Sequence, residues 1–415
     1  MHRVGVICGF AAGAWLGAAE APTKLVTTGL SPFLISLGMV AGVFVGRWTV
    51  PALLKGTGFV FADLRQRPHL TVWAVIAGAL WAVANTLTVF AIRDVGLSIA
   101  FPLWNTNSLV GVLWGYVFFR ELRGAGARTW SKVAGGALII VVGAVLLGYA
   151  SSSGLPTVSP RPAAGVAAAL GAALLWGTMY IPYRKAYLSG MNPLSFVTVF
   201  TVGEVGTVLT LALIFESGWR PLAAALGDAR PWLFWLFLGG LCWVIGDLFQ
   251  QYAAKYIGIG RGIPLSNTNQ LWGLAWGALV FGELSGSDWT VRVLVLSGSA
   301  AMILGAIAIA SASAPSGEQA SRSRAVAREC GRYRLDQDQV EAALAGEDRL
   351  ESPPRGRGLD WLVAAAAVGV FIWLGALARR PAIEMSLGAM AVLSVATLAV
   401  LAAAGYLLWK RTRFV

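Results

Sequence analysis

The chain is predicted to be an all-α membrane protein: a ten-helix core built as a 5+5 inverted repeat, followed by a C-terminal two-helix hairpin, about twelve spans in all. Three observations predict it. The composition is 57% hydrophobic and 13% charged with mean hydropathy +0.69, outside the range of soluble domains. Apolar runs close to the roughly 20 residues needed to cross a bilayer recur along the whole length. Finally, PLWNTNSLVGVLWGYVFFREL (102–122) returns 162 residues later as PLSNTNQLWGLAWGALVFGEL (264–284), identical at 12 of 21 positions.

In chain order the runs are 4–21, 31–50, 70–92, 97–119, 130–150, 163–183, 192–215, 232–254, 259–281, 290–312, 359–377 and 383–409. The first lacks a small-residue cleavage site and reads as a retained helix rather than a signal peptide. Residues 1–150 form the first repeat, 151–162 a Ser/Pro linker, and 163–312 the second repeat. The repeat extends beyond its best stretch. Trp81, Asn85, Arg93 and Gly96 align with Trp243, Asp247, Lys255 and Gly258, and Gly136 and Gly143 align with Gly298 and Gly305. Earlier, the offset drifts to 161 (Gly29–Pro32 against Gly190–Pro193) and then 160 (Pro22 against Pro182). Each unit holds five spans, an odd number, so the second must enter the membrane upside-down relative to the first.

Residues 313–358 are rich in Ser, Arg and Glu and read as a cytoplasmic polar tether. Within them, 335–347 can form a short amphipathic helix with Val340, Ala343 and Leu344 on one face. Residues 359–415 form a hairpin without a copy elsewhere, read as a packing or assembly element, which leaves a homo-oligomer open.

The net charge of +12 does not point to nucleic acid. With a cytoplasmic amino terminus, 24 of the 32 Lys and Arg residues fall on the inner side and 8 on the outer. Both termini are therefore expected in the cytoplasm, with the chain integral to the cell or inner membrane. Cys8, Cys242 and Cys330 offer neither a disulfide framework nor metal spacing. His2 and His69 both lie outside the spans, and there is no GxxxxGK[ST] phosphate loop, so neither a histidine metal site, an ATP motor nor a cofactor is expected.

Polar groups at bilayer depth need partners or a task. Trp81 and Asn85 share a helix face, and Trp243 and Asp247 repeat the arrangement, with Gln251 one turn further. A face combining an aromatic ring with an amide or carboxylate suits a sugar, although the same groups can simply bond neighbouring helices. Asn105 and Asn107, like Asn267 and Asn269, are two apart and cannot face one cavity unless the helix is broken there, which Pro102 and Pro264 make plausible. Trp104 and Tyr180 complete the candidate binding set, and the GxxxG pairs at Gly111/Gly115 and Gly273/Gly277 read as packing positions. Glu204 lies mid-span opposite Val43 of the first repeat. Glu204 and Asp247, both in the second half, are the candidates to take up a coupling proton. Glu20 is expected to pair with Lys24 near the membrane edge, and Glu121 and Glu283 to mark span ends.

APTK (21–24) and IPYRK (181–185), the segment 78–115 with its echo at 240–277, and the Phe-x-Glu endings at Phe119–Glu121 and Phe281–Glu283 together resemble the glucose/ribose porter group of the drug/metabolite transporter superfamily, with the rhamnose–proton symporter as a relative. The resemblance covers about 4–312 and implies ten helices, a small polar solute and uptake with protons. It says nothing about the linker or the terminal hairpin. Efflux of metabolites or drugs is the rival within transport. A membrane-embedded lipid-handling enzyme or a sensor is the rival from other classes.

Overall fold

The computed structural model describes residues 2–26, 29–120, 122, 124–152, 161–312, 316–345, 358–380 and 383–414. Among these, every regular element is helical. The first half comprises α1 (His2–Lys24), α2 (Pro32–Leu54), α3 (Thr57–Gln66), α4 (Leu70–Val95), α5 (Leu97–Trp104), α6 (Asn107–Phe119) and α7 (Ala127–Ser152). The second comprises α8 (Pro162–Leu188), α9 (Pro193–Phe215), α10 (Trp219–Ala229), α11 (Leu233–Ile257), α12 (Ile259–Ser266), α13 (Asn269–Ala275), a π-helical turn over Trp276–Val280, and α14 (Trp289–Ala310). Then come α15 (Ser316–Tyr333), α16 (Gln337–Ala345), α17 (Gly358–Leu377) and α18 (Leu387–Thr412).

Ten helices among the described residues are long and apolar enough to cross a membrane. The other two apolar runs, 97–119 and 259–281, are each interrupted, as the prolines suggested. The break falls at Asn105–Thr106 and at Asn267–Thr268, where Thr106 and Thr268 share the same backbone angles, φ −60° and ψ −9°. Each threonine hydroxyl donates back to a carbonyl of the preceding half-helix, that of Leu103 at 2.8 Å and that of Leu265 at 2.9 Å, beside the backbone N–H bond the same threonine makes to it.

The GLSP and GMNP echoes are helix starts. Ser31 and Asn192 cap α2 and α9 by accepting from Leu34 N (3.2 Å) and Leu194 N (2.9 Å), and the following proline occupies the first turn, where no N–H is needed. The amphipathic helices α3 and α10, one after each second span, were not anticipated from the apolar runs.

Helix packing follows the repeat. α1 lies against α11 as α8 lies against α4, while α2 packs on α9 and α7 on α14. The close approaches also come in related pairs: Gly78 meets Gly203 as Gly240 meets Gly42, and Gly136 meets Gly305 as Gly143 meets Gly298. A Cβ at Gly78 would stand 2.1 Å from the Phe200 carbonyl oxygen, and one at Gly203 2.0 Å from that of Val75, so glycine is required at both. Gly5 near the start of α1 touches Ile257 at the end of α11, so these partners run antiparallel.

The terminal hairpin wraps the bundle without entering it. α17 packs on α2 and α11, and α18 on α1 and the π-helical turn. It is fastened at one end by Asp360, whose Oδ1 accepts from Thr57 N (2.7 Å) and Oγ1 (2.8 Å), and by Asn192, which donates to the Phe414 carbonyl at 2.9 Å. Its outward side chains, such as Trp361, Ile372 and Val395, are exposed apolar groups suited to lipid.

Within 313–358, the described residues 316–345 depart from the solvated tether expected. α15 and α16 fold onto the bundle, burying Val326, Cys330 and Val340 against Leu188. Lys185 forms an ion pair with Glu329 at 3.0 Å, and His69 stacks on Tyr333 with ring centroids 3.6 Å apart.

Candidate functional site

Where the two broken helices meet, their polar tips exchange hydrogen bonds. Asn105 Nδ2 donates to Asn269 Oδ1 at 2.6 Å, and Asn267 Nδ2 donates to Asn107 Oδ1 at 3.1 Å. These two bonds interchange under the 162-residue offset. Asn267 Nδ2 also reaches the Asn105 carbonyl at 2.7 Å, and Asn107 Nδ2 donates to the Tyr180 hydroxyl at 3.3 Å. The breaks thus let both asparagines of each triplet face inward, which a continuous helix would forbid.

A central cavity of about 30 Å³ opens beside this crossing, lined by Trp104, Trp176, Tyr180, Trp243, Glu20 and the four asparagines, among others. It has room for one or two waters and is far below the roughly 300 Å³ of a small-molecule site, so it is contracted in this structure. Trp104 meets Trp176 edge-on at 5.9 Å. Glu20 departs from its expected pairing. Lys24 pairs with Glu283 at 3.2 Å, whereas Glu20 is 2% exposed on the cavity wall, and its Oε2 has no hydrogen-bond partner among the described residues.

Trp81, Asn85, Asp247 and Gln251 are fully buried but do not line this cavity. Trp81 meets Trp243 edge-on at 4.6 Å, which places these paired positions against each other and away from lipid. Asn85 donates to Ser36 Oγ at 3.1 Å. Asp247 belongs to a buried charged chain. Its Oδ2 accepts from Arg47 Nη2 at 2.6 Å and its Oδ1 from Gln251 Nε2 at 2.6 Å, while Gln251 Oε1 accepts from the Tyr187 hydroxyl. Arg47 Nη1 lies 3.0 Å from Glu204 Oε1, a close ion pair whose angles fall outside hydrogen-bond geometry. The guanidinium also sits 4.4 Å from the Phe200 ring centre and 5.2 Å from that of Trp243.

Arg47 and Tyr187 were not among the sequence candidates. The available signal was an arginine inside the apolar run 31–50; because α2 continues to Leu54, this residue is interior rather than terminal. Glu283 does more than end a span. Its carboxylate accepts from Leu97 N (3.0 Å), Ser98 N (2.9 Å) and Ser98 Oγ (2.6 Å), capping α5 at the face opposite the chain termini. Glu121, its repeat partner, lies outside the described residues.

Residues 34–150 match the Sugar transport protein family, and residues 163–309 match the EamA-like transporter family. The two halves match two transporter families. The likeness to the sugar-porter branch of the drug/metabolite transporters, read from the motifs, is borne out. A "Putative sugar uptake protein" of Enterococcus faecalis is 27% identical over 123 residues, 29% of this chain and 38% of that protein. A "Putative sugar uptake protein" of Listeria monocytogenes is 34% identical over 140 residues, 34% of this chain and 44% of that protein. The "Probable glucose uptake protein GlcU" of Staphylococcus aureus is 23% identical over 252 residues, 57% of this chain and 77% of that protein. The chain thus spans less than half the length of the first two relatives. Together with the apolar helices, these matches make it an integral membrane protein.

Proposed function

We propose that this chain is a secondary carrier that takes up a small polyhydroxy solute, a sugar, by exposing the central cavity alternately to the two sides of the membrane. The observation that carries the reading is the crossing of two broken helices, whose four asparagine side chains and flanking indoles converge on one small cavity. Amides supply paired donors and acceptors for hydroxyls, and the aromatic rings of Trp104, Trp176 and Trp243 supply apolar faces for the sugar ring. The amide–amide bonds are those that bound hydroxyls would replace, and Glu20 Oε2 stands ready as a further acceptor. Two five-helix blocks inserted upside-down to each other, residues 1–150 and 163–312, are supported by the antiparallel partners and the paired glycine contacts. Both chain ends are assigned to the cytoplasm.

The charged chain is assigned to proton coupling. Two carboxylates and one guanidinium leave one negative charge in excess when both acids are ionised. An unbalanced charge at this depth is costly, and one proton removes it. Among the described residues Asp247 accepts two hydrogen bonds and Glu204 none, so Glu204 is assigned that proton. Trp243 connects the two systems, since it lines the cavity and also faces the Arg47 guanidinium.

The test is uptake of labelled monosaccharides into proteoliposomes with and without an imposed pH gradient. Saturable accumulation that follows the gradient is expected, lost in Asn105→Ala/Asn267→Ala and uncoupled from pH in Glu204→Gln. If no monosaccharide enters above the level of empty liposomes, the sugar reading is wrong.

A further inference from the structure

A second cavity, of about 520 Å³, lies between the end of α6, the end of α8 and the docked helix α15. Among the described residues that line it, the polar wall carries Arg120, Lys185, Arg324, Arg328 and Arg332 and one carboxylate, Glu329, which Lys185 engages at 3.0 Å. Arg324, Arg328 and Arg332 recur every four residues and so form one stripe along α15. Like charges at that spacing destabilise a helix unless an anion compensates them. Arg120 is placed at a cost as well. It closes α6 with φ 56°, in the left-handed region, where the repeat-related residue of the second half is Gly282 with φ 64°. Glycine adopts that conformation freely and arginine does not, so the side chain is retained against backbone preference.

The opposite wall is apolar. It includes Phe118, Phe119 and Ile181, and Phe118 continues onto the outer surface of α6, where Leu113 and Val117 are also exposed. A basic pocket that opens along a lipid-facing helix matches a molecule with a phosphate at one end and hydrocarbon at the other. The pocket lies at the end of the bundle that carries the carboxyl terminus, because α8 ends there and Asn192 just beyond it binds the Phe414 carbonyl.

We propose that this cavity binds the phosphate headgroup of an anionic phospholipid, with an acyl chain lying along α6, and that the lipid bridges α15 to the bundle. This site is separate from the central cavity and does not depend on what the protein transports.

The test is native mass spectrometry of the full-length protein, purified with phosphatidylglycerol and exchanged into phosphatidylcholine micelles. Wild type is expected to retain a phosphatidylglycerol that Arg120→Gln/Arg328→Gln/Arg332→Gln releases, with affinity falling by about fivefold per arginine removed. These three arginines are solvent-exposed, so unfolding in phosphatidylcholine should be unchanged. Arg328→Gln alone, with about a fivefold loss, serves if the triple variant does not fold. Equal retention by wild type and variant, or equal retention of phosphatidylcholine, would overturn the site. Displacement by millimolar inorganic phosphate would reassign it to a soluble anion and overturn the lipid assignment.

Discussion

The two halves agree in shape and disagree in charge. Positions that set the backbone are duplicated: the caps at Ser31 and Asn192, the breaks at Asn105–Thr106 and Asn267–Thr268, the reciprocal asparagine bonds and the glycine crossings. The charges buried at the centre are not, although Arg93 and Lys255, like Glu121 and Glu283, keep their sign in both copies. Arg47 aligns with Val208, Glu204 with Val43, Asp247 with Asn85 and Glu20 with Tyr180. The difference teaches that a symmetric frame can open toward either side on equal terms, whereas coupling to an ion needs one site and therefore breaks the symmetry. Binding is accordingly expected to respond equally to changes in either half, and coupling unequally.

The largest expected effect comes from Arg47. Arg47→Met strips the cation that pairs both Glu204 and Asp247, the only one to do so among the described residues, and leaves two buried carboxylates without it. Removing one partner of a buried ion pair costs about 3–5 kcal/mol, so the variant should unfold well below wild type in detergent. Adding Glu204→Gln and Asp247→Asn should restore most of that loss while leaving uptake insensitive to pH. Wild-type stability in Arg47→Met alone would mean that the cluster is not the charge centre described here.

Next come the asparagines. Asn105→Ala and Asn267→Ala each remove one of the reciprocal amide bonds, worth about 1–2 kcal/mol, or roughly tenfold in solute affinity. The two losses should match within a factor of a few, as equilibrium binding of a labelled sugar would show. By contrast, Asn85→Leu and Asp247→Leu should differ sharply, because Asn85 donates only to Ser36 while Asp247 anchors a guanidinium. A large inequality between the two asparagine variants would deny the halves an equal share in binding.

How much of this could be read from the sequence follows the same division. Duplicated features are visible because each copy vouches for the other, so the broken helices, the paired Trp81 and Trp243, and the convergent asparagines were all legible. Single-copy features have no such witness. Arg47 lies three residues from the end of the apolar run 31–50, where a cation resembles a boundary charge, and only the extension of α2 to Leu54 puts it inside. The i,i+4 spacing pairs Glu20 with Lys24, but the Glu283 carboxylate, 263 residues further along the chain, takes that lysine. Contacts of such range leave no local pattern. The docking of α15 is illegible for the opposite reason: its sequence is largely polar, and the few apolar anchors, Val326 and Cys330, join one ion pair and one ring stack to distant parts of the chain.

A smaller effect is expected at Glu283. Its carboxylate caps α5 with two backbone N–H groups and a hydroxyl, and it binds Lys24. Glu283→Gln keeps one acceptor but loses the charge, and loss of a cap costs about 0.5–2 kcal/mol. Since this cap joins the two halves at the face opposite the termini, the variant should admit water from that face more readily. Cysteine accessibility at Ser98→Cys, compared with and without Glu283→Gln, would show it; unchanged labelling would reduce Glu283 to a span boundary.

The smallest expected effect separates the docked helix from the repeats altogether. His69 precedes α4, outside the spans, and stacks on Tyr333 of α15. Burial holds its pKa below the ordinary histidine value. Glu329 opposes that shift, while Lys185, Arg67 and Arg332 reinforce it. The docked state therefore takes up the proton less readily than the undocked state. Docking should be at full strength above the free histidine value of about 6.5 and weaken as pH falls through it. Hydrogen exchange along α15 and α16, corrected for the intrinsic rate, should accelerate at pH 5.5 relative to pH 7.5. His69→Phe should keep the stack and abolish the acceleration, while the reciprocal asparagine contacts in the core stay protected at both values. The same acceleration in His69→Phe would place the pH response on another group and leave the stack a purely apolar contact.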